Sequence, residues 1–182
     1  MANLVSTTIT GNLTASGNVT ATAFSGDGSA LTGISGGKVG QVVQTYKTDT
    51  FSTSSSSFVD VTGVSVTITP SATNSKILIL LTCVTSQSVT GWNMDVQLLR
   101  DATVVGSSTG ATTDNLFTGA LYAGNAYVET LAANYLDSPS TTSSITYKLQ
   151  AKVGANTGYF GRRGDGTSDG YPTSLTAMEI LA

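Results

Sequence analysis

The sequence contains no histidine and a single cysteine, Cys83. Without histidine, Ser–His and Cys–His nucleophilic arrangements cannot form. A zinc site built on clustered His and Cys side chains has no ligands either. Cys83 lies in the apolar run Ile77–Val84. A lone thiol with no base partner reads there as a small buried apolar side chain, and it has no second cysteine to bridge to. Charge is also scarce, with 8 basic and 11 acidic residues and a net charge of −3. A nucleic-acid binder would carry a basic stripe, and a disordered chain would combine high net charge with low hydrophobicity. No stretch approaches the roughly 20 apolar residues that cross a bilayer. The opening MANLVSTTIT has neither the basic nor the apolar region of a signal peptide. The Asn12-Leu13-Thr14 and Asn18-Val19-Thr20 triplets therefore read as products of a repeat rather than glycosylation sites.

What is abundant is small and polar: 31 Thr, 23 Ser and 20 Gly. The branched Cβ of Thr suits a pleated strand, and Gly and Ser suit turns. Patterns of Ala, Leu, Glu and Lys at helical spacing are nearly absent. The composition predicts an all-β protein with a hydroxyl-rich rather than a charged surface.

Residues 1–37 form a distinct region. Ile9-Thr10-Gly11-Asn12-Leu13-Thr14 is followed by Ala15-Ser16-Gly17-Asn18-Val19-Thr20, a six-residue period with Gly-Asn-apolar-Thr in register. The segment ends on the linker Ser35-Gly36-Gly37. Its large apolar residues, among them Ile9, Leu13, Val19, Phe24, Leu31 and Ile34, are thinly spread. One copy cannot bury enough area to offset the entropy of ordering its own backbone. The segment is then either disordered or ordered by other chains, and the periodicity favours a stalk whose thin core is shared among intertwined copies.

Residues 38–182 read as strands between turn clusters. Gly40–Tyr46 is the first, and Ser52–Ser57 is a polar loop. Within Phe58–Thr69, Val64, Val66 and Ile68 alternate with Ser65, Thr67 and Thr69, so one face is buried and one is wet. Lys76–Val84 is apolar in both phases, as a central strand would be. Met94–Arg100 alternates and runs through a hairpin turn at Asp101–Thr103 into Val104-Val105. Residues 106–125 read as a long loop with one short strand, and Ala126–Leu136 is ambiguous between helix and strand. Ser144–Val153 alternates cleanly, Tyr159-Phe160 is a short strand, and Ser174–Leu181 is the last one. About eight strands with regular turn signals predict a β-sandwich or jelly roll.

Few residues invite chemistry. Asp49, Asp60, Asp95 and Glu129 are the acids that could meet across strands as a glycosidase pair, against a reading as ordinary surface and turn carboxylates. Gly26-Asp27-Gly28-Ser29 and the loop Gly164–Gly170 resemble fragments of calcium loops but lack the spaced acids and closing Glu; Asp-Gly is also a common turn. No metal or cofactor is expected. The most distinctive loop is Gly161–Pro172, with Arg162 and Arg163 flanked by Tyr159, Phe160 and Tyr171. Arginine beside aromatics on a glycine-rich loop has the composition of a recognition surface. The alternative is that both arginines pair with Asp165 and Asp169 or with a neighbouring chain. Trp92, the only tryptophan, is either a sugar-stacking platform or a core or interface anchor.

The segment GNVTATAFSGDGSALTGI, residues 17–34, resembles one that recurs in fibre and other structural proteins of tailed bacteriophages, ahead of a C-terminal β-domain. The later segments SKILILLTCV, VQLLRDATVVG, NYLDSPSTTSSITYKLQAKV and SLTAMEILA are similar to the trimeric jelly-roll heads at the ends of such fibres, and in outline to the tumour-necrosis-factor-like jelly roll. The resemblance implies a homotrimeric virion component that is not an enzyme. Residues 1–37 would form the stalk and meet other virion proteins of capsid or tail, and residues 38–182 would form the head. Its recognition candidates for host surface polysaccharide are Trp92, Tyr122, Tyr159, Arg162, Arg163 and Tyr171. Residues 1–37 are short for a fibre shaft plus anchor, so a capsid decoration protein or head fibre with a purely structural role is the alternative. A depolymerase would normally be much longer and carry several acids on a large β-helix.

Overall fold

The structure is a computed structural model and describes residues 14–18, 20, 38–89, 93–107, 117–121, 127–166 and 170–182. The backbone divides into two units, Met1–Ser35 and Gly36–Ala182. The stalk candidates Ile9, Leu13, Val19, Phe24, Leu31 and Ile34 lie outside the described residues, as do Trp92, Tyr122 and Asp169.

The second unit contains strands β1 (Val39–Lys47), β2 (Phe51–Thr53), β3 (Val59–Ile68), β4 (Lys76–Gln87), β5 (Asn93–Arg100), β6 (Thr103–Val105), β7 (Thr118–Leu121), β8 (Glu129–Asp137), β9 (Ile145–Val153), β10 (Gly158–Phe160) and β11 (Thr173–Ile180). No helix occurs among the described residues. Two antiparallel sheets result. One runs β1-β11-β4-β8, with β10 and β2 continuing along the far end of β4; the other runs β3-β9-β5, with β6 and β7 sharing the outer edge of β5. From β3 to β5 the chain alternates between the sheets, β3 entering one, β4 the other and β5 the first again; β6 and β7 stay beside β5, after which β8 and β9 cross over and back. With the short β2 and β10 set aside and β6 and β7 counted as one edge, eight strands remain in two layers of four. That is jelly-roll connectivity.

Period-2 alternation decides what each strand turns inward. In β9, Ile145, Tyr147, Leu149, Ala151 and Val153 are buried while Thr146, Lys148, Gln150 and Lys152 look outward. Val64, Val66 and Ile68 of β3 do the same, with the exposed hydroxyls of Ser65 and Thr67 on the other face. From the opposite sheet come Ile77, Ile79, Leu81 and Cys83 of β4 with Leu175 and Ala177 of β11, and all of these belong to one hydrophobic cluster. Burial pushes the Cys83 thiol up to about 12, so it stays protonated and inert.

The ambiguous segment before Leu136 is a strand. β8 pairs with β4 from Ile77↔Asp137 to Thr85↔Glu129, because the second edge of β4 needs a hydrogen-bonding partner along its length. The hairpin at Asp101 forms as a two-residue turn, with Arg100 paired to Thr103. Asp101 takes φ 53° there, and its carboxylate accepts from the Thr146 N–H at 2.9 Å. Two expectations need correction. The polar loop expected at Ser52–Ser57 begins as strand β2. And β4 runs on to Gln87, with the polar Thr85, Ser86 and Gln87 fully buried.

Three charged side chains of the first sheet are turned inward. Asp137 accepts from Arg100 at 2.8 and 3.0 Å, from the Tyr147 hydroxyl at 2.6 Å and from the Ser138 N–H at 2.8 Å. It thereby clamps β8 of one sheet to β5 and β9 of the other. Burial first, and then the bond to Asp137, push the Tyr147 hydroxyl well above its ordinary range. Glu179 accepts from the N–H and hydroxyl of Ser71, both at 2.6 Å, and from Gln41 at 3.0 Å. Burial alone would raise its pKa; these donors outweigh it and hold the group at about 2. Lys47 pairs with the exposed Asp49 at 2.8 Å.

Candidate functional site

The arginine–aromatic loop is positioned by β10. This three-residue strand is wedged between the end of β4 and β2, with Tyr159 opposite both Ser86 and Ser52. Phe160 is buried and meets Phe51 edge-on at 6.0 Å. Gly161 then turns the chain with φ 77°, donating its N–H to the Val84 carbonyl at 2.8 Å and accepting from the Tyr171 N–H at 2.9 Å. A Cβ at this position would lie 2.8 Å from the Tyr171 carbonyl oxygen, so only glycine closes this neck. Gly161 and Tyr171 are thereby tied to each other, and Arg162 and Arg163 follow directly on this neck.

Within the loop the two arginines part company. The Arg162 guanidinium lies over the Tyr159 ring at 4.3 Å. Its Nε donates to the Arg163 carbonyl at 3.1 Å, and its own carbonyl accepts from the Ser86 hydroxyl at 2.8 Å. Arg163 pairs with Asp165 at 2.7 Å. Tyr159, Arg162, Arg163 and Tyr171 are all half-buried. Four of the six recognition candidates thus sit in one loop neighbourhood. One face of the Tyr159 ring is already covered, and the Asp165 carboxylate is engaged by a cation. Among the described residues no three His, Cys, Asp or Glu side chains converge on one point.

The acids singled out by sequence do not pair with each other. Asp60 accepts from Lys148 at 2.8 Å and Gln150 at 2.7 Å, which hold its carboxyl below the usual range. Asp95 lies 2.8 Å from Asn93 and 3.8 Å from Lys152, and Asp49 lies on Lys47. A shallow depression of about 200 Å³ opens at the bulge of β3, lined in part by Asp60, Gly63, Ser65 and Lys148. Its carboxylate is the one already taken by Lys148 and Gln150.

A second feature was not anticipated as a surface. The outward positions of the β1-β11-β4-β8 sheet carry one apolar row in exact register: Val42↔Met178 across β1 and β11, Met178↔Leu78 across β11 and β4, and Leu78↔Leu136 across β4 and β8. Val42 is 53% and Leu136 46% exposed, and Leu80, one row further on, is 39% exposed. The signal was present in β4, whose both-phase apolar run reads as a strand covered on two sides. The sandwich covers one side only, so the second apolar phase faces out. The arginine–tyrosine loop leans on Ser86 of this same face, about 27 Å along β4 from Leu78 at strand rise.

No protein-family model matches the chain, and no curated protein matches it. Among solved structures it is similar to the structure of the infectious bursal disease virus Gt strain, with a TM-score of 0.43 and 16% identity over 78% of this chain. For the Gx strain of that virus the values are 0.42 and 18%. For its VP2 subviral particle they are 0.40 and 17%, again over 78% of this chain. In each case the match spans 38% of the viral chain. At these values the likeness carries no argument about what this chain does.

Proposed function

We propose that this chain is a non-enzymatic structural component of a virus particle, a homotrimeric fibre protein of the tailed-bacteriophage kind. In this reading residues 1–37 form the shared stalk and attach to other virion proteins, and residues 38–182 form the head. The observation that carries it is the succession along one chain: a low-charge hexad repeat resembling phage fibre segments, followed by a sandwich of jelly-roll connectivity. The head binds host surface polysaccharide through the loop around Tyr159, Arg162, Arg163 and Tyr171, together with Trp92 and Tyr122. Guanidinium and phenol groups on a tied loop suit hydroxyl-rich, neutral or acidic sugars.

Light scattering on the purified full chain tests the assembly: three chains per particle are expected, and a stable monomer would sink the reading. A glycan array tests the head. Retention on at least one polysaccharide is expected, reduced at least fivefold by Arg162→Ala. No retention on any glycan would favour the alternative, a decoration protein or head fibre with a purely structural role.

A further inference from the structure

The outer face of the β1-β11-β4-β8 sheet is unusual in what it omits. Its outward positions run through Val42, Gln44 and Tyr46 on β1, through alternate residues of β11 from Ser174 to Ile180, through alternate residues of β4 from Lys76 to Val84, and through alternate residues of β8 from Thr130 to Leu136. Lys76, at the start of β4, is the one charged side chain among them. Everything else is hydroxyl, amide or apolar, and the row Val42–Met178–Leu78–Leu136 crosses the full width of the sheet. The other sheet turns Asp60 and Lys148 to its outer side, and Lys152 lies there beside the buried Asp95. Among the described residues no third layer covers this apolar ridge, and contiguous exposed apolar area of this kind marks a contact.

We infer that copies of this chain associate through this face, with the Val42–Met178–Leu78–Leu136 row at the centre of the contact. The inference rests on the proposed self-association and names the surface that holds it. Charge selects the occupant. A charged partner finds no countercharge here, whereas a second copy brings a face of the same neutral composition and meets no like-charge repulsion. Size agrees. Four strands about 4.8 Å apart and eight residues of β4 at about 3.4 Å give a footprint of about 500 Å². That is the larger part of the roughly 800 Å² that each partner contributes to a standard interface. The row is also exposed at both ends, Val42 on edge strand β1 and Leu136 on edge strand β8. A cyclic ring joins two different patches of each copy, and a row that reaches both margins of the sheet serves both neighbours.

The test measures the dissociation midpoint of the full-length assembly by light scattering over a dilution series. Leu78→Lys with Leu136→Lys is expected to raise the midpoint at least a hundredfold, and the gentler pair Leu78→Ala with Leu136→Ala about tenfold or more. Thr67→Lys, on the outer face of β3, is the control and is expected to leave the midpoint in place. Far-ultraviolet circular dichroism and thermal melts check that each variant keeps its strands. If the lysine pair fails to fold, the alanine pair decides. A wild-type assembly whose midpoint moves with neither pair overturns this face while leaving self-association intact. A wild-type chain that is monomeric throughout the series overturns self-association itself, and the face with it.

Discussion

On the outer side of the β3-β9-β5 sheet, Gln97 donates to Gln150 at 2.6 Å, Gln150 to Asp60 at 2.7 Å and Lys148 to Asp60 at 2.8 Å. On the outer side of the β1-β11-β4-β8 sheet, the corresponding positions hold Leu78, Leu80 and Leu136, and the charged groups Glu179, Asp137 and Lys47 point the other way, buried at 1%, 3% and 8% exposure. The same period-2 alternation has been used with opposite sign. Charge kept outside is cheap to hold and worth little, because water screens it. Charge kept inside must have every lone pair answered, and Asp137 and Glu179 do so with three or four short bonds each. The sheet that hides its charge is the sheet that shows its apolar side chains. Such a face needs a neighbour more than a face laced with ion pairs does.

This contrast can be broken at the buried clamp, with the largest effect. Asp137→Ala leaves the Arg100 guanidinium and the Tyr147 hydroxyl without their acceptor between the sheets. A loss of about 3 kcal/mol or more is expected in urea unfolding, with Asp137→Asn losing less. Next comes Glu179. Its folded pKa of about 2 lies below the ordinary 4.5. A depressed carboxylate contributes stability that is fully present above about pH 4.5 and is lost as pH falls from there towards about 2. The wild type should therefore weaken across that window, and Glu179→Gln should be less stable at neutral pH yet lose this acid limb; urea midpoints at pH 7 and pH 3 check both. Asp60→Ala, on the charged outer face, should cost no more than about 1 kcal/mol, and high salt should shrink the difference. The smallest effect sharpens the contrast. Leu80→Thr should change the stability of the fold by no more than about 0.5 kcal/mol, measured below the dissociation midpoint, while still weakening the assembly. An equal loss in both readouts would mean that Leu80 serves the fold and not the contact.

Much of the fold was legible because alternation is a local signal. Ser144–Val153 states its two faces outright, and Val64, Val66 and Ile68 state theirs. Asp101 announces its turn through a residue that tolerates positive φ. Tyr159-Phe160 was legible as a short strand between loops. Other parts were not. Thr85-Ser86-Gln87 lies beyond the apolar run Lys76–Val84 and became buried strand because β10 pairs with all three residues and β8 reaches Thr85, and Phe51–Thr53 became strand because β10 offers it an edge. Of the candidate site, the grouping of Tyr159, Arg162, Arg163 and Tyr171 on one loop was legible. The division of labour between the arginines was not, since Arg162 stacks on Tyr159 while Arg163 takes Asp165. That choice depends on where the Gly161 neck aims the chain.

Composition and period alone determined that this chain is all-β, that Lys38 onward makes a sandwich, and which residues of β3 and β9 share a face. They also placed apolar side chains in both phases of β4. Only the tertiary structure decided which phase of β4 faces the core, which strands border it, and that Asp137, Arg100 and Tyr147 meet. The physical reason is range. A strand's two faces follow from neighbours two residues apart, whereas strand order and cross-sheet pairing join residues 37 or 138 positions apart, as Arg100–Asp137 and Gln41–Glu179 do, and no local pattern carries that information.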